Sequence, residues 1–437
     1  MSLAHPDQTN PNLIGLLDIG STKIACAVVE VVQGPSGARR AGRVLGLGHQ
    51  RSKGITSGLI TNLDEAEAAV RSAVSNAERM AGSLIGSVVA TVSCGRIASQ
   101  RFKAHVEPAA SVVDADDTAR LRHAADGYAR RGGRLLIHLN LMDYAIDDQA
   151  GIDDPIGFGG DRLTGTFHTV SGDAGPIRNL GALISRCYLA NETLVPAPVA
   201  SALSVTSSEE RQLGCTVVDY GGGTISFADY EAGRLSGCGV LAFGGDLITY
   251  DIARRFGTTV REAERIKTLY GTMVSAPSDD SRVIEYARPD DAKGDGRLQT
   301  QQDLNRIVTM RVERQLAAFA ESPSGATLVH AGPGETRPVI LTGGASLLTA
   351  VGGPLAATLK RPVRLAAPRG LPGLGADLAS PQFAALWGLS HCVPRSANAR
   401  GGGTGVGSSL SDRLRAASPR NEDRYADRVQ QWVRDAF

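Results

Sequence analysis

The sequence lacks several features at once, and each absence closes off a class of protein. No two of its six cysteines (Cys26, Cys94, Cys187, Cys215, Cys238 and Cys392) form a Cys-x-x-Cys pair. This argues against a zinc site and a disulfide framework, and for a reducing cytoplasm. An excess of either charge is missing too: 46 Lys+Arg against 45 Asp+Glu leave +1. A field that small does not steer a whole molecule to nucleic acid, and none is expected as a partner. No apolar run approaches the roughly 18–20 residues of a spanning helix. The opening MSLAHPDQTNPN has neither the basic flank nor the apolar core expected of a secretory signal. Global disorder is excluded as well, because 42% hydrophobic and 21% charged residues are ordinary globular usage and suffice for several cores. At roughly 150 residues per domain, 437 residues predict two to four compact units.

Glycine is in excess, at 52 of 437 residues against a usual share of roughly 7%, and its placement is informative. Residues 13–32 predict a β-hairpin whose turn is Gly20-Ser21-Thr22-Lys23, with a further strand at 43–48. Asp64 then precedes apolar positions at helical spacing (Ala66, Ala69, Val70, Ala73, Val74, Ala77, Met80) and is the expected N-cap. The same grammar returns in the second half. Residues 215–220 and 225–230 predict strands around Gly221-Gly222-Gly223-Thr224, and Gly244-Gly245-Asp246 opens a helix to about 256. A duplicated strand–glycine turn–strand unit predicts two related α/β halves facing each other. Between them, strands at 87–93, 134–140 and 164–171 and a helix near 117–129 suggest an inserted α+β unit over about 85–168. The stretch 276–303 reads as a polar surface excursion, 337–342 as a buried strand, and the glycine-rich run after Pro394 as a flexible linker.

Asp18 and Asp219 each stand at a strand end beside a glycine turn. Glycine lets successive N–H groups approach phosphate oxygens, a neighbouring carboxylate can hold Mg²⁺ through water, and Lys23 adds a point charge. Either loop alone also fits an ordinary hairpin turn. Two of them, followed by Leu341-Thr342-Gly343-Gly344-Ala345-Ser346, argue for a shared nucleotide site.

These residues resemble a known family. LLDIGSTKIACAVVEV, VVDYGGGTISFADY and VILTGGASLL look like the two phosphate motifs and the adenosine motif of the actin/Hsp70/sugar-kinase ATPases. More closely, GIDDPIGFGG, DIARRFGTTVREAERIK and a linker ending in a short amphipathic tail resemble the FtsA family of bacterial cell-division proteins. The resemblance implies an α/β, two-lobed actin-like ATPase fold built of duplicated ribonuclease-H-like lobes, with an inserted α+β subdomain in the first. The first lobe would take 13–84, 169–208 and 370–395, and the insertion 85–168 would serve interaction and polymerisation. The second lobe would take 209–250 and 330–369, with an outer subdomain over 251–329; a linker over 396–419 and a membrane-targeting helix over 420–437 would follow.

The resemblance also implies ATP and Mg²⁺ as cofactors. Asp18 and Asp219 would stand at Mg²⁺, with Gly20, Ser21, Thr22, Lys23, Gly221, Gly222, Gly223 and Thr224 around the phosphates. Gly343 and Gly344 would lie under the nucleoside, Glu264 with Lys267 at the ribose and adenine, and Gly245 would belong to the same nucleotide site. Read from the residues alone, Glu264 and Lys267 are an i, i+3 solvated pair worth a few tenths of a kcal/mol. Two positions depart from the family pattern. Ala197 stands where briskly hydrolysing relatives place the water-orienting Gln or Glu, and Ser226 replaces an Asp after the second loop. Binding with slow or negligible hydrolysis is expected.

Residues 424–437, RYADRVQQWVRDAF, put Tyr425, Val429, Trp432, Val433, Ala436 and Phe437 on one helical face. Such a helix is about 21 Å long, too short to span, and suits the membrane interface. The same stripe would fit a terminal helix docked on the core, although a long linker is an odd way to dock. Burial of these side chains supplies a gross gain on the order of 10 kcal/mol, about half of it lost to ordering, so the anchor is reversible and gains from self-association. The resulting expectation is a peripheral protein at the division septum, on the cytoplasmic face of the inner membrane. It would polymerise, hold the tubulin-like protein FtsZ and meet other divisome proteins. The basic stretch that the family uses toward FtsZ is replaced by 288–297, leaving those contact residues unassigned. A small-molecule kinase, a chaperone ATPase and a pilus-assembly actin homologue are the alternatives. The first lacks a recognisable general base, the second a substrate-binding domain after residue 395, and the third has no evident need for the tail.

Overall fold

The computed structural model describes residues 9–33, 39–130, 133–289, 296–323, 325, 328, 336–369 and 378–394. Leu13–Ile19 is apolar on both faces, with Leu13, Ile14, Leu16, Leu17 and Ile19 all buried, the pattern of a strand covered on both sides. It pairs antiparallel with Lys23–Gln33 and parallel with Ser87–Val92. Ala190–Pro196 and Arg39–Arg51 complete a five-stranded sheet. The second half repeats this plan. Cys215–Tyr220 pairs antiparallel with Ile225–Glu231 and parallel with Val339–Thr342, flanked by Arg234–Leu241 and Val363–Leu365. Strand order and direction match element for element, so the expected duplication is present.

Helix Leu63–Ala81 lies on the first sheet through Ala66, Ala69, Val70, Ala73, Val74 and Ala77. Its N-cap is Asn62, whose side chain accepts from the Asp64 and Glu65 N–H groups. The expected cap, Asp64, is already inside the first turn, where its charge meets the positive helix end. The small helix face lets Arg39–Arg51 approach to backbone contact: a Cβ on Gly48 would sit 2.0 Å from the Ala73 carbonyl oxygen, and one on Gly46 2.1 Å from that of Ala77.

The strand at 87–92, expected within the insertion, belongs to the first sheet, where its apolar residues Val88, Val89, Ala90 and Val92 are wholly buried. The insertion therefore starts after it. Its strands Ala98–Val106, Leu135–Ile146, Gln149–Ile152 and Leu163–Gly172 and its helix Ala115–Ala129 enclose a separate small core with Leu121, Ala125 and Phe167. A bridge from Ala98 to Gly239 joins this sheet to the edge of the second-half sheet. Arg101–Glu231 at 3.2 Å and Arg234–Asp153 at 2.9 Å reinforce the seam, which covers what would otherwise be an open sheet edge.

The halves are linked by helix Ala197–Val205, which leaves Ala190–Pro196 directly and is buried at Pro198, Val199, Ala200, Ser201, Ala202, Ser204 and Val205. Helix Ala384–Gly388 crosses it at backbone contact, since a Cβ on Gly388 would lie 1.7 Å from the Ala200 carbonyl oxygen. Helices Asp246–Phe256, Val260–Tyr270 and Gln301–Glu321 form the outer part of the second half. The expected excursion over 276–303 ends earlier than predicted. It holds a hairpin, Val283–Tyr286 with Arg297–Thr300, and gives way at Gln301 to a helix whose Gln301 and Asn305 are buried and bonded to each other. No helix among the described residues is long and apolar enough to cross a membrane.

The close approach makes a testable pair. Gly48→Ala forces strand and helix apart and lowers stability by about 1–3 kcal/mol in urea unfolding. Gly175→Ala, in helix Ala174–Arg186 with nothing within 4 Å of the added methyl, is neutral or stabilising by up to about 1 kcal/mol.

Candidate functional site

Because the Asp-bearing strands run parallel to their inner neighbours, their carboxyl ends emerge beside those neighbours' ends. The register Leu17↔Ala90 sets Asp18 beside Thr91, and Asp219↔Thr342 repeats the arrangement in the other half. Thr91 donates its hydroxyl to Asp18 Oδ1 at 2.8 Å and accepts the Ile19 N–H at 3.1 Å. Asp219 Oδ2 accepts from the Ser201 hydroxyl on the linking helix. Thr342 Oγ1 is buried and has no hydrogen-bond partner, a polar group left for a ligand or its water.

Each Asp runs into a turn closed the same way, Gly20 N to Lys23 O at 3.1 Å and Gly221 N to Thr224 O at 2.9 Å. The turns meet across the seam between the halves. A Cβ on Gly222 would lie 1.9 Å from Thr22 Oγ1, and one on Gly223 2.2 Å from Ser21 Oγ, so only glycine lets the loops come together. The second loop is braced from behind, where Gly245 N donates to Gly221 O at 3.0 Å and Asp246 N to Gly222 O at 2.8 Å. Thr22 reaches over the seam to Asp246 Oδ1 at 3.2 Å. Gly343, at φ +91°, passes so near that a Cβ would meet Asp219 Oδ1 at 2.2 Å; both the positive φ and the contact require glycine. Gly344 lies against Gln382.

Glu264 and Lys267 are not a solvated pair. The Lys267 side chain is 15% exposed and its ammonium pairs with Glu264 at 2.7 Å. It also donates to Thr249 Oγ1 at 2.8 Å and to the Gly245 carbonyl at 3.3 Å. These bonds fold it back under the helix start that braces the second loop. Ala197 opens the linking helix one turn before Ser201, with no polar atom to offer the site.

Burial pushes the Asp18 carboxyl up, against the pull of the Thr91 hydrogen bond and the Lys23 charge. Burial raises Asp219 to about 6; the Ser201 hydrogen bond pulls it down and the Asp18 charge adds to the rise. Burial lowers Lys23 to about 8 although Asp18 and Asp219 favour its charged form. Two desolvated carboxylates with Lys23 as neighbour are short of positive charge, which suits a divalent cation. Among the described residues no group of three or more His, Cys, Asp or Glu forms a cage. A cation here would complete its shell with water and ligand oxygens, as Mg²⁺ does.

Five further contributors escaped the sequence reading. The hairpin Ile55–Thr56 and Leu59–Ile60 turns through Ser57 and Gly58, both at positive φ. Gly58 N donates to Ser21 Oγ at 2.8 Å, and Ser57 Cα lies 3.1 Å from a Cβ on Gly223, so this turn touches both loops. The Ser-Gly dipeptide was its signal. Thr91, Ser201 and Asp246 carry none beyond their place in apolar segments or at a helix start. Neither does Phe383, whose ring lies under Lys23.

The raised Asp219 carries a pH signature. A carboxyl that keeps its proton up to about pH 6 when folded, and only to about pH 4 when unfolded, stabilises the ligand-free fold below pH 4. That contribution is lost as pH rises through 6. The stability difference between wild type and Asp219→Asn therefore shifts against the wild type from pH 4.5 to 7.5 in urea midpoints. A constant difference contradicts this.

Residues 216–388 match the family model "Cell division protein FtsA", and residues 94–171 the model "SHS2 domain inserted in FTSA". Cell division protein FtsA of Agrobacterium fabrum is 33% identical over 386 residues, covering 86% of each chain. That of Rhizobium meliloti is 31% identical over 98% of this chain and 95% of its own. Among solved structures, a chain of the PilM-PilN type IV pilus biogenesis complex superposes with a TM-score of 0.55 at 16% identity, covering 86% of this chain and 96% of that one. At that identity the likeness speaks for the fold alone, and it agrees with two actin-like lobes and an inserted subdomain. With two family models covering more than half of its length and full-length relatives above 30% identity, the chain belongs to the FtsA family of actin-like cell-division proteins.

Proposed function

We propose that this chain is a nucleotide-dependent membrane adaptor. It binds Mg·ATP in the seam between its halves, polymerises, and ties FtsZ filaments to the cytoplasmic face of the inner membrane at the division septum, where other divisome proteins join it. The observation that carries the reading is the meeting of two Asp-plus-glycine turns across one seam, with an unpartnered Thr342 hydroxyl beside Asp219. Asp18 and Asp219 would hold the cation through water. The N–H groups of Gly222 and Gly223, the hydroxyls of Ser21 and Thr224, and Lys23 would take the phosphates, while Gly20 and Gly221 close the two turns and Thr22, bonded to Asp246, holds the first against the second. Gly343 and Gly344 would lie under the nucleoside, with Glu264 and Lys267 at its ribose and base, and Gly245 would serve the same site by bracing the second loop. Mg²⁺ supplies neutralisation of phosphate and carboxylate charge together. These residues supply the orientation and the exclusion of water.

Slow turnover is part of this reading. Ala197 orients no water, and Ser226 faces Asp219 across the hairpin without a carboxylate. Single-turnover hydrolysis is expected to be far slower than in chaperone-type ATPases of the same superfamily, and Ala197→Gln to raise it on the order of tenfold or more. A wild-type rate equal to those enzymes contradicts the assignment.

The membrane-facing residues Tyr425, Val429, Trp432, Val433 and Phe437 lie outside the described residues, and their role rests on the sequence pattern. Liposome co-sedimentation with ATP tests it. The intact chain pellets with lipid, whereas a truncation before Arg420 and the single variant Trp432→Glu remain in the supernatant. Equal pelleting of intact and truncated chains removes the adaptor reading.

A further inference from the structure

Lys23, a phosphate ligand in the proposed function, rests on a segment some 360 residues further along the chain. Its ammonium donates to the Gln382 carbonyl oxygen at 2.8 Å and stands 3.4 Å above the centroid of the Phe383 ring. Phe383 is 4% exposed, and His49 meets its ring edge-on, with centroids 6.1 Å apart at 62°. The turn that presents it is closed by Phe383 N to Ser380 O at 2.9 Å. Helix Ala384–Gly388 follows at once, locked by Trp387 Nε1 to Leu378 O at 2.8 Å and by the backbone contact of Gly388 with Ala200. The seat is thus fixed to the linking helix, whose Ser201 bonds Asp219.

We propose that Phe383 and the Gln382 carbonyl are a built seat that holds the Lys23 ammonium charged and aimed into the seam, making Phe383 a positioning residue for triphosphate binding. A lysine on four rotatable bonds loses rotamer freedom whenever it is fixed on a phosphate. A seat that fixes it beforehand removes that cost from binding. An aromatic face suits the task, because it favours the cation in a desolvated place without neutralising it. An ion pair with Asp18 or Asp219 would cancel the charge and occupy the carboxylates that the cation needs. Burial that pulls Lys23 toward neutrality makes such support more valuable.

The inference rests on nucleotide binding in the seam, and a double-mutant cycle separates the two. Affinities for a fluorescent ATP analogue with Mg²⁺, and for adenosine, are measured on the full chain as wild type, Phe383→Leu, Phe383→Tyr, Lys23→Met and Lys23→Met/Phe383→Leu. Phe383→Leu weakens ATP about fivefold to tenfold and leaves adenosine unchanged, and Phe383→Tyr restores ATP. The double variant is no worse than Lys23→Met alone, because Phe383 acts only through that ammonium. Losses that multiply, an equal loss of adenosine, or a Phe383→Leu chain that binds as wild type overturns the seat. If Phe383→Leu lowers the folded fraction in circular dichroism, Phe383→Met, which fills the same space without a ring, takes its place with the same expectations. A wild-type chain that binds no ATP removes the nucleotide reading itself.

Discussion

Asp18 and Asp219 are drawn partly out of water at one seam between two sheets that share a core, and most of what surrounds them answers the electrostatic cost of doing so. Each carboxylate has one hydroxyl donor, Thr91 for the first and Ser201 for the second, and Lys23 is near both. That is less than two half-buried anions so close together require, and the deficit appears as upward-shifted carboxyls. A site left short of positive charge is poised for a cation that brings its own anionic ligand. Glycine at Gly222, Gly223 and Gly343 follows from the same demand, since side chains there would hold the carboxylates and loops apart.

The surrounding architecture delivers those two carboxylates to one place. Parallel pairing of each Asp strand with its inner neighbour fixes where the strand ends. The buried linking helix sets one half against the other and carries the Ser201 donor. The last described segment returns to the start of the chain, so that Gln382 and Phe383 touch Lys23 while Gly388 touches the linking helix. The first, middle and last described segments therefore converge on the seam. The insertion has a small core of its own, packs Leu135, Ile137 and Val170 into the large core, and meets the second-half sheet along its edge through a bridge and ion pairs.

What was legible in the sequence is what local chemistry dictates. Asp18 and Asp219 beside glycine turns could be read because strand, turn and strand leave a continuous signature, and so could the repetition of the plan. Tertiary choices were not legible. Ser87–Val92 looks like any buried strand, and only pairing decides that it joins Leu13–Ile19 rather than the insertion. Asn62 and Asp64 are both good caps two residues apart, and the backbone at Asn62, at φ −142° and ψ 112°, settles the choice. Glu264 and Lys267 resemble a surface pair until helix Asp246–Phe256 is laid over them. Phe383 follows Lys23 by 360 residues, a separation at which composition and periodicity say nothing about contact.

The account stands on the two carboxylates serving one ligand together. Isothermal titration of ATP into wild type, Asp18→Asn and Asp219→Asn, each with and without Mg²⁺, tests this most directly. The account predicts one site per chain whose affinity is raised by Mg²⁺, and loss of that Mg²⁺-dependent gain in either variant. A single variant that keeps the full gain would show that the two halves do not share the ion, and would contradict the account.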